Sequence, residues 1–207
     1  MRGHLYVIAA PSGAGKTSLV KALMEGDPAL KFSVSYTTRA PRPTEVDGLD
    51  YYFVTSEKFA RMVAAGEFLE HAQVFDHCYG TALATVQGAL AQGTRLLLEI
   101  DWQGAQQVRT KLPEAQTIFI LPPSRASLEQ RLHARSTDSA AVIRRRLQDS
   151  VGDLAHWNEF DFVVINDQFD EALAGLRAVV SGRGDKLRAN RPAVTLLAAE
   201  LLKPPAT

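Results

Sequence analysis

The sequence predicts an α/β fold, a doubly wound parallel sheet core with an inserted subdomain and a helical lid. Three observations predict it. Four short apolar runs, residues 5–9, 95–100, 117–121 and 162–165, alternate with helical patterns, and near-continuous apolarity marks parallel strands covered on both faces. The first run passes directly into the glycine-rich turn Ala10-Pro11-Ser12-Gly13-Ala14-Gly15-Lys16-Thr17 and then into a helical pattern. Two stretches, 32–79 and 124–156, break the strand–helix alternation with a different composition.

The elements follow in order. A helix over 16–25 is stopped by Gly26, Asp27 and Pro28. The alternating segments 31–37, 51–54 and 68–74 read as a small mixed or antiparallel sheet around one helix, 56–65. The core resumes with a helix over 82–92, for which Thr81 is the expected N-cap and Gly93 the stop. Further core helices are expected over 102–111, stopped before Pro113, and over 169–181. Between them, 124–135 and 139–156 read as two charged helices around the turn-like Ser136-Thr137-Asp138, an arginine-rich hairpin suited to a lid. An amphipathic stretch over 192–202 is expected to dock on the chain's own core rather than on a partner. The domain plan is one domain: core segments 1–33, 82–123 and 157–207, an inserted subdomain 34–81 and a lid 124–156.

Composition bounds the function. Lysine plus arginine and aspartate plus glutamate both number 23, so bulk attraction to nucleic-acid phosphates is not expected and any basic site must be local. No apolar run approaches the roughly 20 residues of a membrane span. Met1-Arg2-Gly3-His4 runs straight into a strand pattern, so no signal peptide is expected, and one cysteine, Cys78, fits a reducing, cytoplasmic compartment.

Four constellations carry chemistry. In the first, Gly13 and Gly15 let the backbone wrap an anion, N–H groups at the helix start point at it, Lys16 adds a mobile charge and Thr17 offers a hydroxyl to Mg²⁺. Pro11, Ser12, Ala14 and Ser18 complete this P-loop, whose chemistry is phosphoryl transfer. Ala10 stands where the usual pattern has glycine, a departure offset by the strand before and the helix after. In the second, Arg39 and Arg42, stiffened by Pro41 and Pro43, form a cationic pair suited to a phosphate or, equally, a solvated basic loop. Tyr51 and Tyr79 could add phenol donors there, or simply pack.

The third constellation is Phe68-Leu69-Glu70-His71-Ala72. Regular alternation sets Glu70 on the face opposite Leu69. A surface glutamate is the plainer reading; the sharper one is that its two oxygens match the N1–H and N2–H₂ edge of guanine and reject adenine, a discrimination of about 10⁴ or more. The fourth comprises the acids Glu99 and Asp101 at the end of an apolar strand, resembling a Walker B element, with helix capping the alternative for Asp101. Added to these are the lid arginines. Arg131 and Arg135 share a helix face, and of Arg144, Arg145 and Arg146 one or two can face a ligand. An arginine on transferring phosphates contributes about 10³ to 10⁵ in rate.

With these residues the chain closely resembles the bacterial guanylate kinases, over about residues 5–181. The loop 10–17, the run Ser35-Tyr36-Thr37-Thr38-Arg39-Ala40-Pro41-Arg42-Pro43-Thr44-Glu45, Glu70, Tyr79-Gly80-Thr81, Asp101-Trp102-Gln103-Gly104 and Asn166-Asp167 stand in the family's order. The resemblance implies transfer of a phosphoryl group from ATP to GMP or dGMP, with Mg²⁺ on the ATP side near Thr17 and, through water, Asp101. It implies that Ser35, Glu70 and Thr81 contact guanine, that Arg39, Arg42, Tyr51 and Tyr79 hold the GMP phosphate, and that Glu45 braces the arginines. Lys16, Arg131, Arg135 and Arg146 would surround the transferred group, and Asn166 would lie near the adenine. Glu99 stands where the family often has aspartate, so its contact with guanine or with the metal's water shell stays open. Ala134 and Ser136 replace glycines common beside Arg135. Within the same reading, alternatives are a P-loop kinase for another monophosphate such as AMP or UMP, and a non-catalytic interaction module. Neither nucleic acid nor membrane is an expected partner, and monomer and homo-oligomer stand equally.

Overall fold

β1 (His4–Ala9) is buried at every position after its first residue, as its unbroken apolar run requires. The computed structural model describes residues 3–74, 76–134 and 140–203, with side chains from 147 onward in the last segment. The chain folds as two compact units: residues up to 7 with 28–115, and residues 8–27 with those from 116 onward. β1 contributes to both.

The first unit holds two sheets. In one, β2 (Leu30–Phe32) pairs in parallel with β7 (Arg95–Glu99), in the order β2-β7-β1. The other has the order β4-β3-β6-β5, built from β3 (Ser35–Thr37), β4 (Tyr51–Phe53), β5 (Phe68–Val74) and β6 (His77–Ala82). It is mixed: β3 and β4 run parallel, while β6 is antiparallel to both β3 and β5. α2 (Ser56–Ala64) packs Phe59 and Met62 on Phe68, and α3 (Leu83–Ala91) and α4 (Trp102–Lys111) complete the unit.

The second unit continues the parallel sheet in the order β1-β8-β9, with β8 (Gln116–Leu121) and β9 (Phe162–Ile165) in register from Ile118 opposite Phe162 to Leu121 opposite Ile165. α1 (Lys16–Gly26), α5 (Arg125–His133), α6 (Ala140–Leu154), α7 (Phe169–Val180) and α8 (Pro192–Leu202) accompany it. α8 buries Val194, Ala198 and Leu201 and leaves Leu196 exposed, the partial docking expected of the tail.

Four expectations need correction. Residues 31–37 are not one strand: the chain leaves β2 at Ser33, whose N–H bonds Leu97 O, and re-enters the other sheet at Ser35. β6 was not foreseen, because its sequence His-Cys-Tyr-Gly-Thr-Ala lacks an apolar alternation. Thr81 does not cap α3; it lies in β6, and the cap position falls on Ala82 with no side-chain bond. Alternation in β5 is broken by a bulge between Phe68 and Glu70, which puts these residues on opposite faces. The predicted turn 136–138 lies outside the described residues.

Candidate active site

The second unit builds the P-loop end. Gly13 and Gly15 both take the left-handed conformation, at φ 89° and 88°, which a Cβ disfavours. Space demands glycine as well: a Cβ on Gly13 would press into Leu132 and Leu128 of α5, and one on Gly15 would overlap the Asn166 amide. The loop's carbonyls are tied back. Asn166 Nδ2 donates to Ala14 O at 2.7 Å, Arg131 Nη1 to the same oxygen at 3.4 Å, and Ser150 Oγ to Ser12 O at 3.1 Å. Engaging those carbonyls removes the groups that would repel an anion, and α1 begins at Lys16 behind a glycine N-cap, which has no side chain to compete for the helix's N–H groups.

A cavity of about 300 Å³ adjoins the loop, lined by Gly13, Gly15, Ser18, Arg131, Asn166, Asp167 and Phe169. Arg131 reaches it while Nη2 donates to Asn166 O at 2.9 Å. Asn166 is buried, its amide spent on the P-loop. Phe169, an apolar side chain left 42% exposed at the start of α7, was not singled out from sequence; its only signal was a helix-start position next to Asn166-Asp167. Arg135 lies outside the described residues, as does the side chain of Arg146.

The first unit builds a second centre around Glu70, a residue only 2% exposed, so the surface reading is wrong. Thr81 Oγ1 donates to Glu70 Oε1 at 2.6 Å, and Ser35 Oγ lies 3.4 Å from Thr81 Oγ1. Those three residues come from β5, β6 and β3 and are adjacent only through the small sheet. The other oxygen, Oε2, occupies the space a Cβ on Gly104 would take, 2.5 Å from that position. Gly104 in turn donates its N–H to Asp101 Oδ1 at 2.8 Å, so Asp101 is the N-cap of α4. Burial pushes the Glu70 carboxyl up to about 7; the Thr81 hydroxyl and the Lys111 charge act against that rise, and Asp101 adds to it.

On the loop after β3, Arg39 grips Glu45 with both fork nitrogens, Nη1 to Oε2 at 2.9 Å and Nη2 to Oε1 at 2.8 Å. The backbone N–H of Arg42 also donates to Glu45, at 2.7 Å. Glu45 is thereby held ionised, its carboxyl below the usual range because of the Arg39 bond. The Arg39 guanidinium lies over the rings of Tyr51 and Phe53, 5.4 and 5.8 Å from their centroids. Tyr51 and Tyr79 meet edge to face at 5.9 Å, and burial pushes the Tyr51 phenol up to about 12, keeping its proton. Arg42 by contrast is 68% exposed at its side chain. Phe53 went unnoticed in the sequence, where it read as one more strand aromatic.

The comparisons with known proteins bear on this arrangement. A family model described as guanylate kinase matches residues 2–183. The chain is 54% identical over 187 residues to the guanylate kinase of Hahella chejuensis, covering 90% of this chain and 89% of that protein. It is 55% identical over 188 residues to the guanylate kinase of Methylobacillus flagellatus, covering 91% and 92%. Among solved structures, the guanylate kinase of Anaplasma phagocytophilum matches with a TM-score of 0.74 and 31% identity over 89% of this chain and 87% of that one. A P-loop tied to Asn166, a buried carboxylate bonded to Thr81 and a braced arginine thus stand in a chain that belongs to the guanylate kinase family.

Proposed function

We propose that this protein transfers the γ-phosphoryl group of ATP to GMP, and to dGMP, giving ADP and the diphosphate. The observation that carries the reading is Glu70: a carboxylate buried against the hydroxyl and backbone of Thr81, with an oxygen facing a glycine, is costly to build, and a donor edge of the acceptor base offsets that cost. Guanine supplies two donors there, and adenine presents an acceptor. Arg39 and Arg42 hold the acceptor phosphate, with Tyr51 and Tyr79 donating phenols to it; Glu45 fixes the Arg39 guanidinium in place, leaving its remaining N–H groups for the phosphate. Ser35 and Thr81 complete the base contacts, and Glu99 and Asp101 flank the acceptor.

The P-loop of residues 11–18 holds the ATP phosphates, and Lys16, Arg131, Arg135 and Arg146 neutralise charge on the transferring group. Asn166 acts on the nucleotide through the loop it braces. Transfer is direct and in line, so catalysis is positioning and charge neutralisation. Mg²⁺ fits the donor set: among the described residues no three acidic, histidine or cysteine side chains gather as a metal cage, while a hydroxyl at the start of α1 suits a hard ion carried by phosphates. Thr17 would hold it, with Asp101 contacting its water shell, and the ion would shield the β- and γ-oxygens. Among the described residues no helix is long and apolar enough to cross a membrane, in keeping with a cytoplasmic enzyme.

A coupled assay of ADP release with ATP and Mg²⁺ tests the reading. GMP and dGMP should be turned over, and AMP, UMP and CMP rejected by a factor of about 10³ or more in kcat/KM. Equal turnover of AMP would overturn it.

A further inference from the structure

The β5 strand lies at the edge of its sheet, and an edge strand leaves one row of backbone groups unpaired. Here α4 covers that row. Gly104, Gln107 and Lys111, spaced at i, i+3 and i+7, share one helix face. Gln107 acts as a strand would towards His71: its Oε1 accepts the His71 N–H at 3.1 Å and its Nε2 donates to His71 O at 2.7 Å. Four residues on, the Lys111 ammonium donates to Phe68 O at 3.1 Å and Leu69 O at 2.6 Å. Those two carbonyls belong to the β-bulge, where Phe68 and Glu70 oppose Ala82 and Thr81 with Leu69 as the extra residue.

The bulge decides where Glu70 points. In an unbroken strand Phe68 and Glu70 would share a face. Instead Phe68 lies with His71 over Gly80, its ring packed on α2, while Glu70 faces the other way, onto Thr81 and the glycine of α4. A bulge is a local loss of ladder bonds, and without partners for its carbonyls a one-residue slip would turn the carboxylate to the wrong face. We propose that Lys111 and Gln107 are positioning residues for base selection: as a surrogate strand edge they lock the β5 bulge that aims Glu70. This rests on the reading of Glu70 as the group that binds guanine.

The test uses the full chain and compares GMP with IMP, whose base keeps N1–H but lacks the 2-amino group, and with AMP. Lys111→Met keeps the side chain's length and removes the donors. It should raise KM for GMP about tenfold, narrow the GMP to IMP ratio of kcat/KM by a similar factor, and leave KM for ATP and saturated kcat within about twofold. Lys111→Arg, which restores charge and donors, should recover the parental ratio. Should Lys111→Met fail to fold, Gln107→Leu carries the test with the same expected split. A folded Lys111→Met or Gln107→Leu enzyme with parental KM for GMP and parental base ratios overturns the proposal, as does an equal rise in the KM values for GMP and ATP. Glu70→Gln, assayed in parallel, separates the two ideas: if it leaves GMP preference intact, the reading of Glu70 fails. If it relaxes the preference while Lys111→Met does not, only the role of the helix edge fails.

Discussion

Glu70 shows how a buried carboxyl weakens the fold that holds it. Its carboxyl stands at about 4.5 in an unfolded chain and about 7 in the folded one, chiefly through burial. Between those values the folded state binds more protons, so this stabilising contribution is complete below pH 4.5 and is lost as pH rises through 7. The loss amounts to about 3 kcal/mol, and Glu70→Gln removes it while leaving Thr81 an oxygen to bond. At pH 8 the variant should therefore melt several degrees above the parent, at about 2–4 °C per kcal/mol for a chain of this size. The gap should close towards pH 5. Calorimetry at both pH values checks this, and equal melting temperatures at pH 8 would refute it. The same substitution should relax the preference for GMP over AMP by at least about tenfold. An enzyme that still rejected AMP as strongly as the parent would sink the assignment of Glu70 to the base.

Elements, rather than residues, set the shape of the anion cradle. The P-loop is held from outside by Asn166, at the end of β9, by Arg131 of α5 and by Ser150 of α6. Removing the buried amide with Asn166→Ala leaves Ala14 O without its short bond, a loss of about 1–3 kcal/mol. KM for ATP should then rise about tenfold or more, with KM for GMP unchanged; steady-state kinetics with each substrate varied decides it, and a parallel rise in both would point to general loosening. Of these elements the glycine-rich turn and the strand before it were legible, because φ and close approach restrict the residues allowed there. The clamps on it were not, since Ser150 and Asn166 lie far along the chain and nothing local links a serine on a helix to a carbonyl 138 positions away. β6 was hidden for a related reason. Gly80, which weakens a strand pattern, is required because a Cβ there would strike the Phe68 ring.

At the scale of the molecule, the Glu70 centre lies in one compact unit and the P-loop in the other. Each ligand should therefore protect its own unit first. In hydrogen exchange, GMP should slow amides of residues 35–37 and 68–82, and an ATP analogue those of residues 10–20 and 166–169. At about 100 times Kd either ligand adds about 2.7 kcal/mol. Protection by GMP confined to the P-loop segment would contradict the division. The sequence by itself determined the α/β class, the parallel strands, the P-loop and the arginine pair, because each is written in neighbouring residues: an apolar run, a glycine spacing, two prolines around a charge. Only the tertiary structure decided that Glu70 is buried, that Thr81 serves it instead of capping a helix and that a bulge bonded by α4 sets Phe68 and Glu70 on opposite faces. Those are relations across strands and between elements, with the bulge and its clamp 42 and 43 positions apart, and local propensity carries no information about which face a strand turns when a distant side chain fixes its register.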